Sequence, residues 1–199
     1  MKRRIVLLSS SALLLASCAS VFAPQRDSSR FFALSVEAES SGQPSPSPKT
    51  AKVYGLGPVR LPDYLDRNEI CNRLSSAELR YSEHERWAAP LRSSVGSILA
   101  QDLAILVGGS RVVTYPWTGA EPIDLQIEVD VHRFEAGADG KTTLVARWTV
   151  RDANRKVMFV RESTHARDAA ANDTAAAVTA LSETLADLAR DIATALASV

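Results

Sequence analysis

The strongest constraint on the fold is a strictly alternating segment in the second half of the chain. Apolar side chains occupy every second position, at Leu125, Ile127, Val129 and Val131, and polar ones lie between them, at Gln126, Glu128, Asp130 and His132. A period of two is typical of a β-strand with one buried face and one face that is wet or partnered. Asp139-Gly140 then marks a turn before Thr142 to Arg151, where the alternation resumes. The two segments predict an antiparallel hairpin.

Two other segments repeat apolar residues every three or four positions, the period of an amphipathic helix. The first runs from near Trp87 through Leu91, Val95, Ile98, Leu99, Leu103 and Leu106. Its start is open: Ser82 and Glu85 have capping-box spacing for a start near Arg86, but a start near Ala89 would place Pro90 in the first turn, where its missing N–H costs little. Gly108-Gly109 predicts its end.

The second helix is predicted from about Thr174 to Ala197, with an apolar stripe at Val178, Leu181, Leu185, Leu188, Ile192 and Leu196. Its spacing suits packing on the chain's own sheet. It is also the spacing of a coiled-coil seam, which would make the protein a homo-oligomer.

Shorter segments complete the predicted sheet. Strands are expected at Phe32 to Val36, Lys52 to Arg60, Glu69 to Leu74, Glu78 to Tyr81, Arg111 to Tyr115 and Val157 to Glu162. The predicted fold is therefore a single mixed α/β (α+β) domain, with a mixed, largely antiparallel sheet on which two long amphipathic helices pack.

The first 17 residues predict a secretory signal peptide. Lys2, Arg3 and Arg4 precede a mostly apolar run from Ile5 to Leu15, which is shorter than the roughly 20 residues that a membrane-spanning helix needs. Small residues follow it, as they do before a cleavage site. Residues 30–199 are predicted to form the globular domain, with a Pro/Ser-rich loop at 39–50.

The end of the signal, Leu15-Ala16-Ser17-Cys18, resembles a bacterial lipobox. Cleavage between Ser17 and Cys18 would make Cys18 the first mature residue, and its acyl chains would anchor the protein in the membrane. Ala19 in place of Asp resembles the outer-membrane sorting signal. Residues 18–29 would be the lipidated Cys and a tether. A plain secretory signal, cut after Ala19 or Ala23, is the alternative.

Charge argues against a nucleic-acid partner. Signal removal takes away three basic and no acidic side chains, so that 20 Lys and Arg face 23 Asp and Glu and the mature net charge is −3. Nucleic-acid binders usually show a clustered basic excess.

The sequence offers little catalytic chemistry. It has no G-x-S-x-G motif, and His84, His132 and His165 lack metal-ligand spacing. Asp130 and His132 share a strand face with Glu128 and are the one candidate acid/base set, although the pattern favours a solvated polar face. Cys71 is expected to be a buried, inert thiol. We therefore expect no enzyme activity, no metal and no cofactor.

Five strings carry a family resemblance. They are VRLPDYLDRNEI at 59–70, RWAAPLRSSVGSILAQDL at 86–103, YPW at 115–117, DLQIEVDVHRFE at 124–135 and LVARWTV at 144–150. In this order they resemble the ABC-type transport auxiliary lipoprotein family, the paraquat-inducible protein C-like lipoproteins. The chain departs from the family pattern at Cys71-Asn72, where an aliphatic residue and Thr would precede Arg73.

The resemblance implies a non-enzymatic outer-membrane lipoprotein whose domain faces the periplasm. Its implied partners are an inner-membrane ABC transporter and a mammalian-cell-entry (MCE) domain protein, with which it would move lipid or another hydrophobic compound. Trp117, in a loop before Thr118-Gly119, is the candidate partner contact. A periplasmic lipid-binding carrier, which needs a pocket of about 300 to 1,000 Å³, and an envelope hydrolase are the alternatives.

Overall fold

The predicted hairpin lies at the centre of the sheet. A computed structural model describes residues 28–39, 51–117 and 122–199, which form one mixed eight-stranded sheet and two helices. The elements are β1 (Arg30–Phe32), β2 (Val53–Arg60), β3 (Glu69–Arg73), β4 (Leu79–Trp87), α1 (Leu91–Leu106), β5 (Arg111–Thr114), β6 (Leu125–Gly137), β7 (Lys141–Asp152), β8 (Val157–Asp168) and α2 (Thr174–Leu196). The predicted fold class, a single mixed α/β domain, is confirmed.

β6 is the strand around which the sheet is organised. It pairs antiparallel with β7 along one edge, from Leu125↔Asp152 to Ala136↔Thr142, and β8 continues antiparallel beyond β7. Its other edge is shared, because β2 pairs with the first half of β6 and β3 with the end. The β1–β4, β2–β5, β2–β6 and β3–β6 pairings are parallel, while the two longest pairings are antiparallel.

Both helices pack on the sheet and against each other. The six residues of the predicted α2 stripe are all buried, with none more than 6% exposed, and α2 contacts β6, β7 and β8. The stripe is therefore part of the chain's own core and does not form an intermolecular seam. No helix within the described ranges is long and apolar enough to span a bilayer.

The first helix begins later than the start favoured by the capping-box spacing. Trp87 is the last residue of β4, its backbone N–H donates to the Asn68 carbonyl at 2.7 Å, and α1 begins after Pro90. The Ser82 hydroxyl does accept a hydrogen bond from the Glu85 N–H, but inside β4. The residues with capping-box spacing therefore belong to a strand, because long-range strand pairing outweighs their local preference for a helix start.

The first strand is shorter than predicted, since β1 ends at Phe32. Beyond it the backbone bonds to side chains of the helices: the Ser35 N–H donates to Ser182 Oγ at 3.1 Å, and the Ala38 N–H to Asp102 Oδ1 at 2.9 Å. The prediction of a strand through Val36 was wrong because these buried helix side chains replace a neighbouring strand.

The last strand is longer than predicted. β8 continues past Glu162 to Asp168, because β7 offers it a partner over its full length, as far as Lys141↔Asp168. The hydrophobic pattern did not predict this extension, because polar residues such as Ser163 and His165 interrupt the apolar alternation.

Candidate binding groove

Two glycines of β2 make room for an aromatic loop. Gly57 has φ +127, and a Cβ there would lie 2.6 Å from Tyr115 Cβ. A Cβ at Gly55 would lie 2.9 Å from Ile123 Cδ1 and 3.2 Å from Trp117 Cζ3. Because neither glycine carries a side chain, Tyr115, Trp117 and Ile123 can lie directly against the strand.

Beside this loop is an open groove, the α1–β5 groove. One lobe, about 670 Å³, lies between α1 and β5 and is lined by Ser97, Ala100, Gln101, Ala104, Val112, Val113, Thr114, Pro116, Trp117 and Ile123. The other, about 640 Å³, is lined by Leu56, Gly57, Pro58, Val59, Arg60, Arg92, Ser93, Gly96, Ser97, Thr114 and Tyr115. The lobes share Ser97 and Thr114, so they form one surface along α1.

Trp117 forms a wall of this groove. It is half-buried and meets Tyr115 edge to face, with ring centroids 5.2 Å apart. The more exposed ring is Tyr115, at 56%. The loop Trp is therefore less exposed than a free interface anchor would be, and its role as a partner contact stays a prediction.

An edge strand borders the groove. In the described part of the chain β5 pairs only with β2, towards which the N–H groups of Arg111 and Tyr115 donate. Successive backbone groups alternate between the two edges of a strand, so the peptide groups of Val112 and Thr114 face the other edge. The groove thus combines apolar walls with backbone hydrogen-bonding groups, a combination that suits an extended peptide.

The lipid-attachment prediction lies outside the described residues. Ser17 and Cys18 precede residue 28, where the described chain begins, and the structure gives them no geometry. Cleavage before Cys18 and its acylation stay predictions.

The polar face of β6 carries ion pairs. Asp130 Oδ1 accepts from the Arg60 guanidinium at 2.9 Å, and Glu128 from Arg151 at 3.0 Å. Hydrogen bonding to Asp130 raises the pKa of Arg60. His132 is exposed on the same strand. Each of the two carboxylates is thus paired with an arginine. This arrangement matches the solvated polar face that the sequence pattern favours.

A Ser, an Asp and a His meet elsewhere, between β8 and α2. Asp191 Oδ2 accepts from Ser163 Oγ at 2.6 Å and lies 2.9 Å from His165 Nε2. In a catalytic triad the His lies between the Ser and the acid, whereas here the carboxylate is in the middle. Trp148 Nε1 donates to the same Ser163 Oγ at 3.1 Å. The cluster ties an edge strand to a helix. In the ranges that the structure describes, no group of three or more His, Cys, Asp or Glu side chains is placed to hold a metal ion.

A buried carboxylate, Glu135, joins β3 to β6. Its side chain is fully buried and accepts from Arg73 Nε at 2.7 Å, Arg133 Nε at 3.0 Å and the Tyr64 hydroxyl at 2.8 Å. Burial would raise its pKa, but these bonds and the Phe134 N–H outweigh burial and lower it. Burial, reinforced by Glu135, raises the pKa of Tyr64 to about 12. Sequence reasoning missed this cluster because its members are far apart in the chain.

A second buried carboxylate, Asp102, lies on α1. Its Oδ1 accepts from the N–H groups of Glu37 and Ala38, and its Oδ2 has no hydrogen-bond partner among the described residues. Burial raises its pKa. Asp102 therefore positions the segment that follows β1.

Cys71 is a buried free thiol. Burial raises its pKa to about 11, so the thiolate is scarce at neutral pH and the side chain is unreactive.

The described residues form a mixed α/β domain in which two helices pack on one sheet and an open groove lies between α1 and β5. Over residues 32–193 the chain matches the ABC-type transport auxiliary lipoprotein component family. The chain belongs to this family, as its sequence strings predict. The family is one of transport auxiliary lipoproteins, not of enzymes.

Solved structures share this fold. An uncharacterized protein superposes with a TM-score of 0.70 at 17% identity, covering 84% of this chain and 98% of its own. Protein XCC0632 from Xanthomonas campestris, of family DUF330, gives 0.65 at 20% identity, with 82% and 92% covered. A PelC dodecamer from Paraburkholderia phytofirmans superposes only weakly, with a TM-score of 0.43 at 15% identity and 75% and 89% covered, which is too low to show the same fold. No curated protein sequence matches the chain.

Proposed function

We propose that the protein is a non-enzymatic outer-membrane lipoprotein that docks an inner-membrane ABC transporter and its MCE-domain protein during lipid transport. Acylated Cys18 would hold it on the periplasmic face of the membrane. Family membership supports the transport role. The observation that carries docking is the α1–β5 groove, where Trp117 lines one wall and an edge strand borders the surface.

The anchor is tested by Cys18→Ala in cells supplied with a tagged fatty acid. We expect the variant to take up no label and to accumulate as an uncleaved or mislocalised precursor, because no other residue offers the lipobox thiol. Ser20→Ala, two residues away, is the matched control and should be labelled like the wild type. A Cys18→Ala chain that is still labelled would disprove the lipoprotein assignment.

Docking is tested by site-specific photo-crosslinking in intact envelopes. A crosslinker at Gln101, which is exposed in the groove, should capture the MCE-domain protein, and one at Thr179, exposed on α2, should not. Trp117→Ala should lower the yield about tenfold or more, as expected for an aromatic anchor that the partner buries on binding. Equal capture from both positions would argue against the groove.

A lipid carrier is the second candidate, because each lobe of the groove falls in the size range of small-molecule sites, about 300 to 1,000 Å³. Organic extraction of protein purified from membranes distinguishes the two. A stoichiometric lipid that is lost in Gly96→Leu, which would fill one lobe, would favour the carrier.

A further inference from the structure

The tip of the β7–β8 hairpin is basic, although the mature chain is acidic. Residues 147–162 contain five Lys or Arg and two Asp or Glu, a net charge of +3. The side chains of Arg147, Arg155, Lys156 and Arg161 are exposed there. Within the described part of the chain, no carboxylate lies within 4.0 Å of any of these four cations.

The few acidic residues of this region already have partners or lie beside a cation. Glu128 pairs with Arg151, and the Asp152 carboxylate accepts from the backbone N–H groups of Asn154 and Lys156 in the turn. Glu162 lies opposite Arg147 in the strand register. The tip therefore keeps a surplus of positive charge.

Apolar side chains lie among these cations. Val157, Met158 and Val160 are 43%, 39% and 45% exposed and all lie at the start of the edge strand β8. Val157 lies opposite Arg151 and Val160 opposite Thr149, on the sheet face away from the helices. These three residues and the exposed cations Arg147, Arg155 and Lys156 form the hairpin-tip patch. Arg161 lies opposite Trp148, and its guanidinium stacks over the Trp148 and Phe159 rings on the helix side of the sheet.

We propose that the hairpin-tip patch binds an anionic lipid bilayer as a second membrane contact, in addition to acylated Cys18. Unpaired cations are attracted to anionic headgroups, and exposed aliphatic side chains gain by leaving water for the interfacial region. This inference rests on the proposed function only in placing the domain beside a membrane.

The fold allows both contacts on one bilayer. From β1 to β8 the order is β1-β4-β3-β6-β7-β8, so five strand spacings of about 4.8 Å separate the two edges by roughly 24 Å. The eleven residues 19–29 can extend to roughly 40 Å. A chain held at residue 18 can therefore lay its β8 edge on the same membrane.

The test is vesicle sedimentation of the mature chain, residues 18–199, with Cys18→Ser so that no acyl chain contributes. It contains every element described above. Binding to phosphatidylethanolamine–phosphatidylglycerol vesicles should exceed binding to phosphatidylcholine vesicles about tenfold or more, and salt should weaken it. R155E/K156E should lower the affinity for anionic vesicles at least about tenfold. V157S/V160S should also weaken binding, but it should leave the salt dependence unchanged.

R80E/K141E is the matched control, since it makes the same change in charge at exposed residues outside the patch. It should bind like the wild type.

Two results would overturn the proposal. A control that loses as much affinity as R155E/K156E would show that net charge alone attracts the chain to the vesicles. The proposal would also be overturned if the wild-type chain bound neutral and anionic vesicles equally, or bound neither kind of vesicle. The patch would then suit an acidic protein as its partner. If R155E/K156E does not melt cooperatively, Lys156→Gln replaces it and should weaken binding by less. None of these results bears on acylation of Cys18, which the labelling experiment decides separately.

Discussion

At the scale of single residues, two fully buried carboxylates of the described chain behave in opposite ways. Glu135 is held by two guanidiniums and a phenol, and its pKa is lowered, whereas Asp102 meets backbone N–H groups on one oxygen only and its pKa is raised. The difference lies in the partners, because both side chains are removed from water. Neither could be assigned from sequence, where each is one polar residue in an apolar pattern.

We expect Glu135→Gln to cost about 2–4 kcal/mol of folding free energy at neutral pH, because Arg73 and Arg133 would face a neutral amide. Since the folded pKa of Glu135 is lowered, its contribution is complete above the unfolded value near 4.5 and is lost as pH falls through the folded value. Urea unfolding across acidic pH checks this. The difference between wild type and variant should shrink on acidification, and a constant difference would contradict the assignment.

At the scale of elements, the groove depends on how closely β2 meets the aromatic loop. Gly57→Ala should destabilise the domain by about 2–4 kcal/mol, because Ala would be strained at φ +127 and its Cβ would clash with Tyr115. Gly96→Ala is the matched control. A Cβ there would lie 3.8 Å from Val59, and α1 should gain up to about 1 kcal/mol. Thermal melting of both variants tests whether the two stability changes have opposite signs. Equal losses of stability in the two variants would contradict the close contact between Gly57 and Tyr115.

The polar face of β6 allows a second prediction at this scale. Asp130→Ala and His132→Ala should leave any envelope phenotype intact, and removal of the exposed Asp130–Arg60 pair should change stability by at most about 1 kcal/mol. Loss of function at an unchanged melting temperature would instead favour the acid/base or contact role of this face.

At the scale of the whole molecule, α2 closes the core. Leu185→Asp or Leu188→Asp would bury an unpaired carboxylate among apolar groups, at a cost of several kcal/mol against a typical stability of about 5–15 kcal/mol. Either variant should come close to unfolding the mature chain, while Thr179→Asp, on the exposed side of α2, should melt like the wild type. Circular dichroism and light scattering together check this. A folded Leu185→Asp chain of halved mass would instead reveal an intermolecular seam.

The amino-acid sequence alone determined the elements whose signal is local. The β6–β7 hairpin follows from alternation and the Asp139-Gly140 turn, and α2 from a 3-4 apolar stripe followed over six positions. Both patterns describe neighbours a few residues apart, so the chain needs no distant partner to specify them. The family strings, which are also local, predicted the membership that the match over residues 32–193 confirms.

Tertiary structure decided what depends on distant partners. Trp87 belongs to β4 because β1 and Asn68 pair with it, and the segment after Phe32 leaves the sheet because Ser182 and Asp102 bind its N–H groups. The α1–β5 groove likewise exists only once α1, β2 and β5 come together. A backbone group bonds to whichever partner the fold brings nearest, and no local pattern records that distance.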